Sequence, residues 1–284
     1  MRICRYDNNR LGVVANGLVH DVTSIVNELP ALKWPLPRGD HFFNNLDRLL
    51  PGIAAMAKTS TGRPVSEVKL LSPVANPGKI VAAPVNYKLH LDESRADTQI
   101  NFGTQVKTID DYGVFLKAPS SVIGAGDMVV ADWPDRRIDH EIELAFVIGK
   151  QGFRIAEEDA LSHVAGYMIG LDMTIRGTED RSFRKSLDTF TVFGPHLVTA
   201  DEIADPNNLD FEIKVNGETR QKSNTSLLIW NVQKLIAYAS KAYTLYPGDV
   251  FMTGTPEGVA PVVPGDRMHA WIEGIGEMTV AVGG

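Results

Sequence analysis

The stretch HEIELAFVIG, residues 140–149, decides how this chain is read. In a strand, successive side chains alternate between two faces. Glu141 and Glu143 therefore share one face, on the order of 6–7 Å apart along it. Ile142, Leu144, Phe146 and Ile148 take the other. Ala145 and Val147 continue the glutamate face as apolar positions, so the pattern predicts a strand buried on both sides. Two like charges on a buried face are unfavourable unless something positive lies between them. A divalent cation satisfies both at once, and hard carboxylate oxygens suit Mg²⁺ or Mn²⁺, with Ca²⁺ a further option. The competing reading of an isolated E-x-E is a strand end whose glutamates are solvated at a sheet edge.

Around this strand lies a chain of 284 residues, long enough for one large domain and a small one. Its 25 glycines and 16 prolines imply many turns in an otherwise ordinary globular composition. The formal net charge of −7, with no clustered Lys or Arg, argues against a nucleic-acid ligand. No apolar run reaches membrane-spanning length, and the opening MRICRYDNNRLG lacks an apolar signal core. The single cysteine, Cys4, has no partner for an internal disulfide. A cytoplasmic setting is expected, with Cys4 packed in an early apolar strand rather than acting as a nucleophile.

Residues 1–72 read as a small N-terminal α/β unit, with short strands at MRICRY and LGVVAN and a partly helical LDRLLPGIAAMAKTS punctuated by Pro51. The turn in VANPGKI separates it from a catalytic unit, residues 73–284. That unit is strand-rich. KIVAAPV, YGVFLKAP, DMVVADWP and GYMIGLDMT read as strands, and LDFEIKV-NG-ETRQK as a hairpin, because Asn-Gly suits a tight turn. AEEDALSHV and VQKLIAYASKAY read as short amphipathic helices. The polar stretch 88–112 has almost no periodicity, which fits a lid or a disordered loop. The whole is α+β and β-dominated, not alternating βαβ.

Several residues could carry chemistry. Asp172 ends the GYMIGLD strand; beside Glu141 and Glu143 it would complete a three-carboxylate site, and alone it would be a solvated strand terminus. His90 and Glu93 in NYKLHLDE stand three apart, on one face of a helical turn. A carboxylate orients an imidazole and raises its basicity, as a general base requires. The plainer alternative is an incidental pair on an exposed helix. Lys117 interrupts an apolar strand, and Lys185 follows Arg181 and Arg184 in RSFRKSLDTF. A lysine near three carboxylates would balance charge and could hold an oxyanion, although most lysines reach solvent. Thr255 lies in TGTPEGV, a loop whose backbone amides could grip carboxylates. That loop does not match a nucleotide-binding P-loop, and GAG (124–126) lacks the rest of a dinucleotide fingerprint. No G-x-S-x-G elbow and no Cys–His arrangement is present, which disfavours a covalent hydrolase.

Together, KIVAAPVNYKLHLDE, FLKAPSSVIGAGD, DHEIELAFVIGK, EEDALSHVAGYMIGLDMTIR, RKSLDTFTVFGPHLVTADEI, VNGETRQKSNTS and YPGDVFMTGTPEGV resemble the fumarylacetoacetate hydrolase family over roughly residues 75–284. The resemblance implies a β-roll of mixed sheets and a homodimer. It implies Glu141, Glu143 and Asp172 as ligands to Mg²⁺ or Mn²⁺, and His90 with Glu93 as a water-activating pair on a mobile lid. Lys185 matches the family lysine beside the metal. Asn86, Tyr87, Arg176 and Thr255 match substrate-contacting positions. Glu179 stands near where some relatives place a glutamine, and its charge should disfavour an anionic group there. Many members carry an N-D-x-S-A-R-D run where this chain has LDMTIRGTED, so substrate choice is expected to differ.

The resemblance implies a metal-dependent hydrolase that cleaves a C–C bond in a 2,4-dioxo acid of the acylpyruvate or fumarylacetoacetate type, in small-molecule or aromatic catabolism. The same enolate chemistry also serves a 2-hydroxyhepta-2,4-diene-1,7-dioate-type isomerase or an oxaloacetate-type decarboxylase. A non-catalytic metal- or ligand-binding homologue is a further alternative, against which intact His90, Glu93 and Lys185 speak.

Overall fold

The computed structural model describes residues 1–284. The glutamate-bearing strand, Ile142–Ile148, is buried along its whole length. Its alternation sorts two cores. Ile142, Leu144, Phe146 and Ile148 join the larger apolar cluster, with Phe211, Ile213, Met268 and Ala270. Ala145 and Val147 join a second cluster on the reverse face, with Leu49 and Ile53 of the N-terminal segment. Burying both faces of one strand removes about 1.5–3 kcal/mol worth of exposed surface per large apolar side chain, which is why its register is fixed.

This strand sits inside a mixed, 12-stranded sheet. On one side it pairs antiparallel with Val164–Asp172, matching Ile142 to Leu171 and Glu143 to Gly170. On the other it pairs antiparallel with Val250–Met252, which runs parallel to Ile80–Ala82. A 5-stranded sheet, holding the Asp210–Val215 and Glu218–Asn224 hairpin expected from Asn-Gly, covers the larger core. Asn216 and Gly217 take the positive φ values, 52° and 85°, that this turn requires. A 3-stranded sheet joins Ile138–His140 to Thr174–Ile175 and Ala260–Pro261 just ahead of Glu141. The architecture is strand-rich α+β, as expected.

The segment 1–72 adds its strands to the same large sheet. Arg2–Tyr6 pairs antiparallel with Thr191–Thr199, with Arg2 opposite Val198. The helix Leu46–Thr59 runs through Pro51 without breaking and packs Leu46, Leu49 and Ile53 onto the second core. Pro51 lies early in that helix, where it removes one hydrogen bond and the buried apolar face outweighs the loss. The division at residue 72 stands as a proposal about the chain's organisation.

Two other segments differ from the expectation. Glu157–His163 is a 3₁₀ helix rather than an α-helix. The aperiodic stretch 88–112 forms three short helices, Lys88–Ala96, Thr98–Asn101 and Ile109–Tyr112. They are held by side-chain-to-backbone bonds that periodicity does not register. Asp97 caps Gln99 N at 2.8 Å, and the Asn101 amide donates to the carbonyls of Ser94 and Arg95 at 3.1 and 3.0 Å. No helix is long and apolar enough to cross a membrane.

His196, buried in the Thr191–Thr199 strand, donates from Nε2 to the Ile275 carbonyl at 2.9 Å. Burial pushes the imidazole from 6.5 down to about 4, against the carbonyl bond that favours its charged form. The sign follows from linkage. Above about pH 6.5 folded and unfolded chains are both neutral here, and the contribution is complete. As pH falls from there through about 4, the unfolded chain takes the proton first and stability is lost, up to about 3 kcal/mol. Urea unfolding at pH 7 and pH 4 should therefore show the gap between wild type and His196→Gln shifting by about that amount in favour of the variant. An unchanged gap would assign the acid sensitivity to other groups.

Candidate active site

Three buried carboxylates meet where the large sheet and the 3-stranded sheet join. Glu141 occupies the single residue between Ile138–His140 and Ile142–Ile148, Glu143 lies two further on, and Asp172 closes Val164–Asp172. The strand register brings the last opposite the first, with Asp172 N donating to Glu141 O at 2.8 Å. One oxygen from each lies within 4.8 Å of the others, and all three residues are at most 4% exposed.

Cations compensate two of the three. The Lys185 ammonium sits 2.7 Å from Glu141 Oε2, 2.7 Å from Asp172 Oδ2 and 2.6 Å from Thr174 Oγ1. Lys117, fully buried, pairs with Asp172 and donates to Phe190 O at 2.9 Å. Arg176 reaches Glu141 Oε1 at 3.0 Å. Burial alone would raise the Glu141 carboxyl, but Lys185 and Arg176 outweigh it and hold it well below the usual range. Glu143 has no such partner. Its carboxylate accepts Gly254 N at 2.6 Å and nothing positive. Burial, then the charge of Asp172, push it well above its usual range. A buried carboxylate without a cation, beside two others, is the donor set that a divalent ion fits: hard oxygens, anionic, with room for further ligands. The Tyr87 hydroxyl is buried without a hydrogen-bond partner, and Tyr87 packs edge-on against Phe211 outside the cavity lining.

His90 and Glu93 lie on the helix Lys88–Ala96 and meet as expected, Nδ1 to Oε2 at 2.9 Å. That bond makes Nδ1 the donor and leaves Nε2 as the basic nitrogen, 3.5 Å from Ser94 Oγ. The other oxygen of Glu93 accepts Gly258 N at 2.9 Å. The TGTPEGV loop thus grips the site's own carboxylates, Glu143 through Gly254 and Glu93 through Gly258. Thr255 donates to Ile142 O at 2.8 Å and accepts from the Gln221 amide at 2.7 Å.

One cavity gathers His90, Glu141, Arg176, Lys185 and Thr255. Arg176 is fixed by Asp139 at 2.7 Å as well as by Glu141. Asp139 also takes Arg137 at 2.7 Å, and Arg137 reaches Asp97 at 2.8 Å, so the 88–112 stretch is tied to the cavity floor through charge pairs. Asn86 does not line the cavity. Its side chain donates to Trp230 O and Thr253 O, both at 2.8 Å, and accepts Trp230 N at 2.7 Å. Those bonds hold the neighbouring Val85, which does line the cavity, at φ 47°, a strained setting for a β-branched residue. Glu179 also lies outside the lining, on the surface, bound to Arg136 at 3.0 and 2.9 Å.

The sequence reading left out Asp139, Thr174 and Gln221. Asp139 had a signal: Asp139, Glu141 and Glu143 are spaced by two. Thr174 and Gln221 act only through contacts made by the fold.

A family model described as the fumarylacetoacetate (FAA) hydrolase C-terminal region matches residues 79–283. A maleylpyruvate hydrolase from Aquipseudomonas alcaligenes is 54% identical over 284 residues, 99% of this chain and 99% of that one. A mitochondrial oxaloacetate tautomerase from Homo sapiens is 39% identical over 226 residues, 75% of this chain and 69% of that one. Among solved structures, a maleylpyruvate hydrolase from Sphingobium sp. SYK-6, in complex with manganese(II) ion and pyruvate, superposes with a TM-score of 0.84. It is 40% identical and covers 100% of this chain and 99% of that one.

Proposed function

We propose that this chain, which belongs to the fumarylacetoacetate hydrolase family, is a divalent-metal-dependent hydrolase of acylpyruvates, with a maleylpyruvate-type substrate. The observation that carries the reading is a base facing an acidic centre: His90, oriented by Glu93, lines the same cavity as Glu141 and Lys185. Hydrolysis adds water across the bond between C3 and C4 of the 2,4-dioxo acid. Hydroxide joins C4, the C3–C4 pair leaves as the enolate of pyruvate, and C3 takes a proton.

Each part of this has a residue. His90 Nε2 removes the proton from water, and Glu93 stabilises the imidazolium that forms. Lys185 already lies between two carboxylates, so its ammonium is placed to offset negative charge that develops on the 2-oxo end. Arg176, locked by Asp139, presents a fixed guanidinium for the substrate carboxylate. Glu141, Glu143 and Asp172 would hold Mn²⁺ or Mg²⁺, which supplies a Lewis acid for the 2-oxo acid group. Asn86 and Tyr87 position the lid entrance, and Thr255 ties the loop to the carboxylate strand. We place the protein in aromatic catabolism, as a cytoplasmic homodimer.

Product analysis tests this directly. With Mn²⁺ in H₂¹⁸O, maleylpyruvate should give equimolar pyruvate and maleate, with one ¹⁸O in the maleate. Chelation should stop the reaction, and added metal should restore it. Isomerised or tautomerised product without ¹⁸O would replace the hydrolase reading with the enolate-only one that the oxaloacetate tautomerases represent.

A further inference from the structure

We propose that Arg181 and Arg184 form a second anion subsite in this cavity, one that binds the carboxylate at the acyl end of the substrate and so selects dicarboxylic over monocarboxylic acylpyruvates. The proposal rests on the acylpyruvate reading above for the placement of the other end.

The argument begins with charge. Four basic side chains line the cavity: Arg176, Arg181, Arg184 and Lys185. Two of them already pair with carboxylates of the acidic centre and serve the 2-oxo acid end. Arg176 binds Asp139 and Glu141, and Lys185 binds Glu141 and Asp172. Arg181 and Arg184 form no ion pair. Arg184 uses only Nε within the protein, donating to Glu179 O at 2.9 Å, so its two terminal amino groups are free. Of the two acids just before this helix, Glu179 turns its carboxylate to Arg136 and Asp180 accepts Ser182 N. Arg181 makes no side-chain hydrogen bond. Its guanidinium lies 4.1 Å from the centre of the Tyr112 ring, a lid residue that also lines the cavity.

Geometry supports the pairing. The short helix Arg181–Arg184 is capped by Asp180, which accepts Ser182 N at 2.8 Å, and its spacing of three sets both guanidinia on one side. Lys185 follows directly into the carboxylate centre. Its place over the Tyr112 ring, with no side-chain hydrogen bond made, leaves the Arg181 N–H groups free for an incoming carboxylate. Burial, then the nearby Arg176, lower the basicity of Arg184, a strain that a bound anion relieves. Free guanidinium edges recognise carboxylates with two parallel hydrogen bonds. The 2-oxo acid end of a 2,4-dioxo acid is taken by the acidic centre and its cations. A maleyl or fumaryl group carries a second carboxylate beyond the scissile bond, and an acetyl group carries none.

The test uses the Mn²⁺-loaded enzyme and two substrates, maleylpyruvate and acetylpyruvate. Arg181→Gln and Arg184→Gln should each lower kcat/KM for maleylpyruvate about 10- to 100-fold, the usual worth of hydrogen bonds to a charged group. Acetylpyruvate turnover should change less than about threefold in the same variants, which also controls for folding. Calorimetry with maleate alone should show binding weakened at least about tenfold, with pyruvate binding unmoved. Equal losses on both substrates, or maleate bound as tightly as by wild type, would overturn the subsite. If wild type hydrolyses no 2,4-dioxo acid, the function reading fails, and the maleate titration still decides the subsite by itself.

Discussion

Glutamine at position 143 should lower Mn²⁺ affinity by at least about 100-fold and bring hydrolysis to background, with the metal-free protein as stable as wild type or more so. The size follows from charge. At an effective dielectric near 20, a unit pair about 4 Å apart is worth ~4 kcal/mol, and the ligand faces a divalent ion. The stability half follows from the partners. Glu143 is the one carboxylate of the three without a cation, and its single bond, from Gly254 N, can be kept by an amide oxygen. Removing its charge relieves repulsion with Asp172 and Glu141, and the new amide group can donate to those same carboxylates. Glu141→Ala is expected to lose metal as well, but it also strips Lys185 and Arg176 of a buried partner. Breaking such a pair costs about 3–5 kcal/mol, so lost binding and lost fold would be confounded there. Calorimetric titration with Mn²⁺ and urea unfolding of the metal-free variant check both halves. Wild-type affinity in Glu143→Gln would remove Glu143 from the ligand set.

Much of this centre was legible because it lies along one strand. The alternation in 140–149 gave two cores and a two-carboxylate face, and the structure has both. The i, i+3 pairing of His90 and Glu93 is likewise local. Most of what stayed hidden is non-local. Asp172 could be named as a third carboxylate from its strand end and motif, but its placement opposite Glu141 comes from the pairing of two strands distant in sequence. Arg136 removes Glu179 from the cavity across a gap of 43 residues, a pairing that no motif announces. The lid stretch 88–112 has no hydrophobic period, since its helices are short and stapled by Asp97 and Asn101 rather than by a buried stripe. The pairing of Arg2–Tyr6 with Thr191–Thr199 likewise leaves no mark on composition, and the reading of 1–72 as a unit of its own stays a proposal. For Asp172 and Glu179 the deciding contact links residues far apart in sequence, whereas the staples of 88–112 are local but carry no hydrophobic period.

His90→Ala separates hydrolysis from the reactions that share its enolate. Hydrolysis consumes a water that must lose a proton as it attacks C4, and His90 Nε2 is the basic nitrogen in the cavity. Loss of a general base lowers such a step about 10²- to 10⁴-fold. Oxaloacetate decarboxylation consumes no water and needs no proton removed. The electron pair released flows into the 2-oxo group held at the acidic centre, which this variant leaves intact. That reaction should fall less than about tenfold. Mn²⁺ affinity should be unchanged, because the three carboxylates keep their contacts with Lys185, Lys117, Arg176 and Gly254. The lid should also stay seated, since Glu93 remains bonded to Gly258 N and Asp97 to Arg137. Both rates, measured at one fixed metal concentration in wild type and variant, give the answer as a ratio. A ratio unchanged by the substitution would mean that His90 binds or enolises the substrate rather than activating water. The His90–Glu93 pair would then serve the chemistry of the tautomerase relatives, and hydrolysis would need another base in a cavity where Glu141, Arg176 and Lys185 are already engaged in ion pairs.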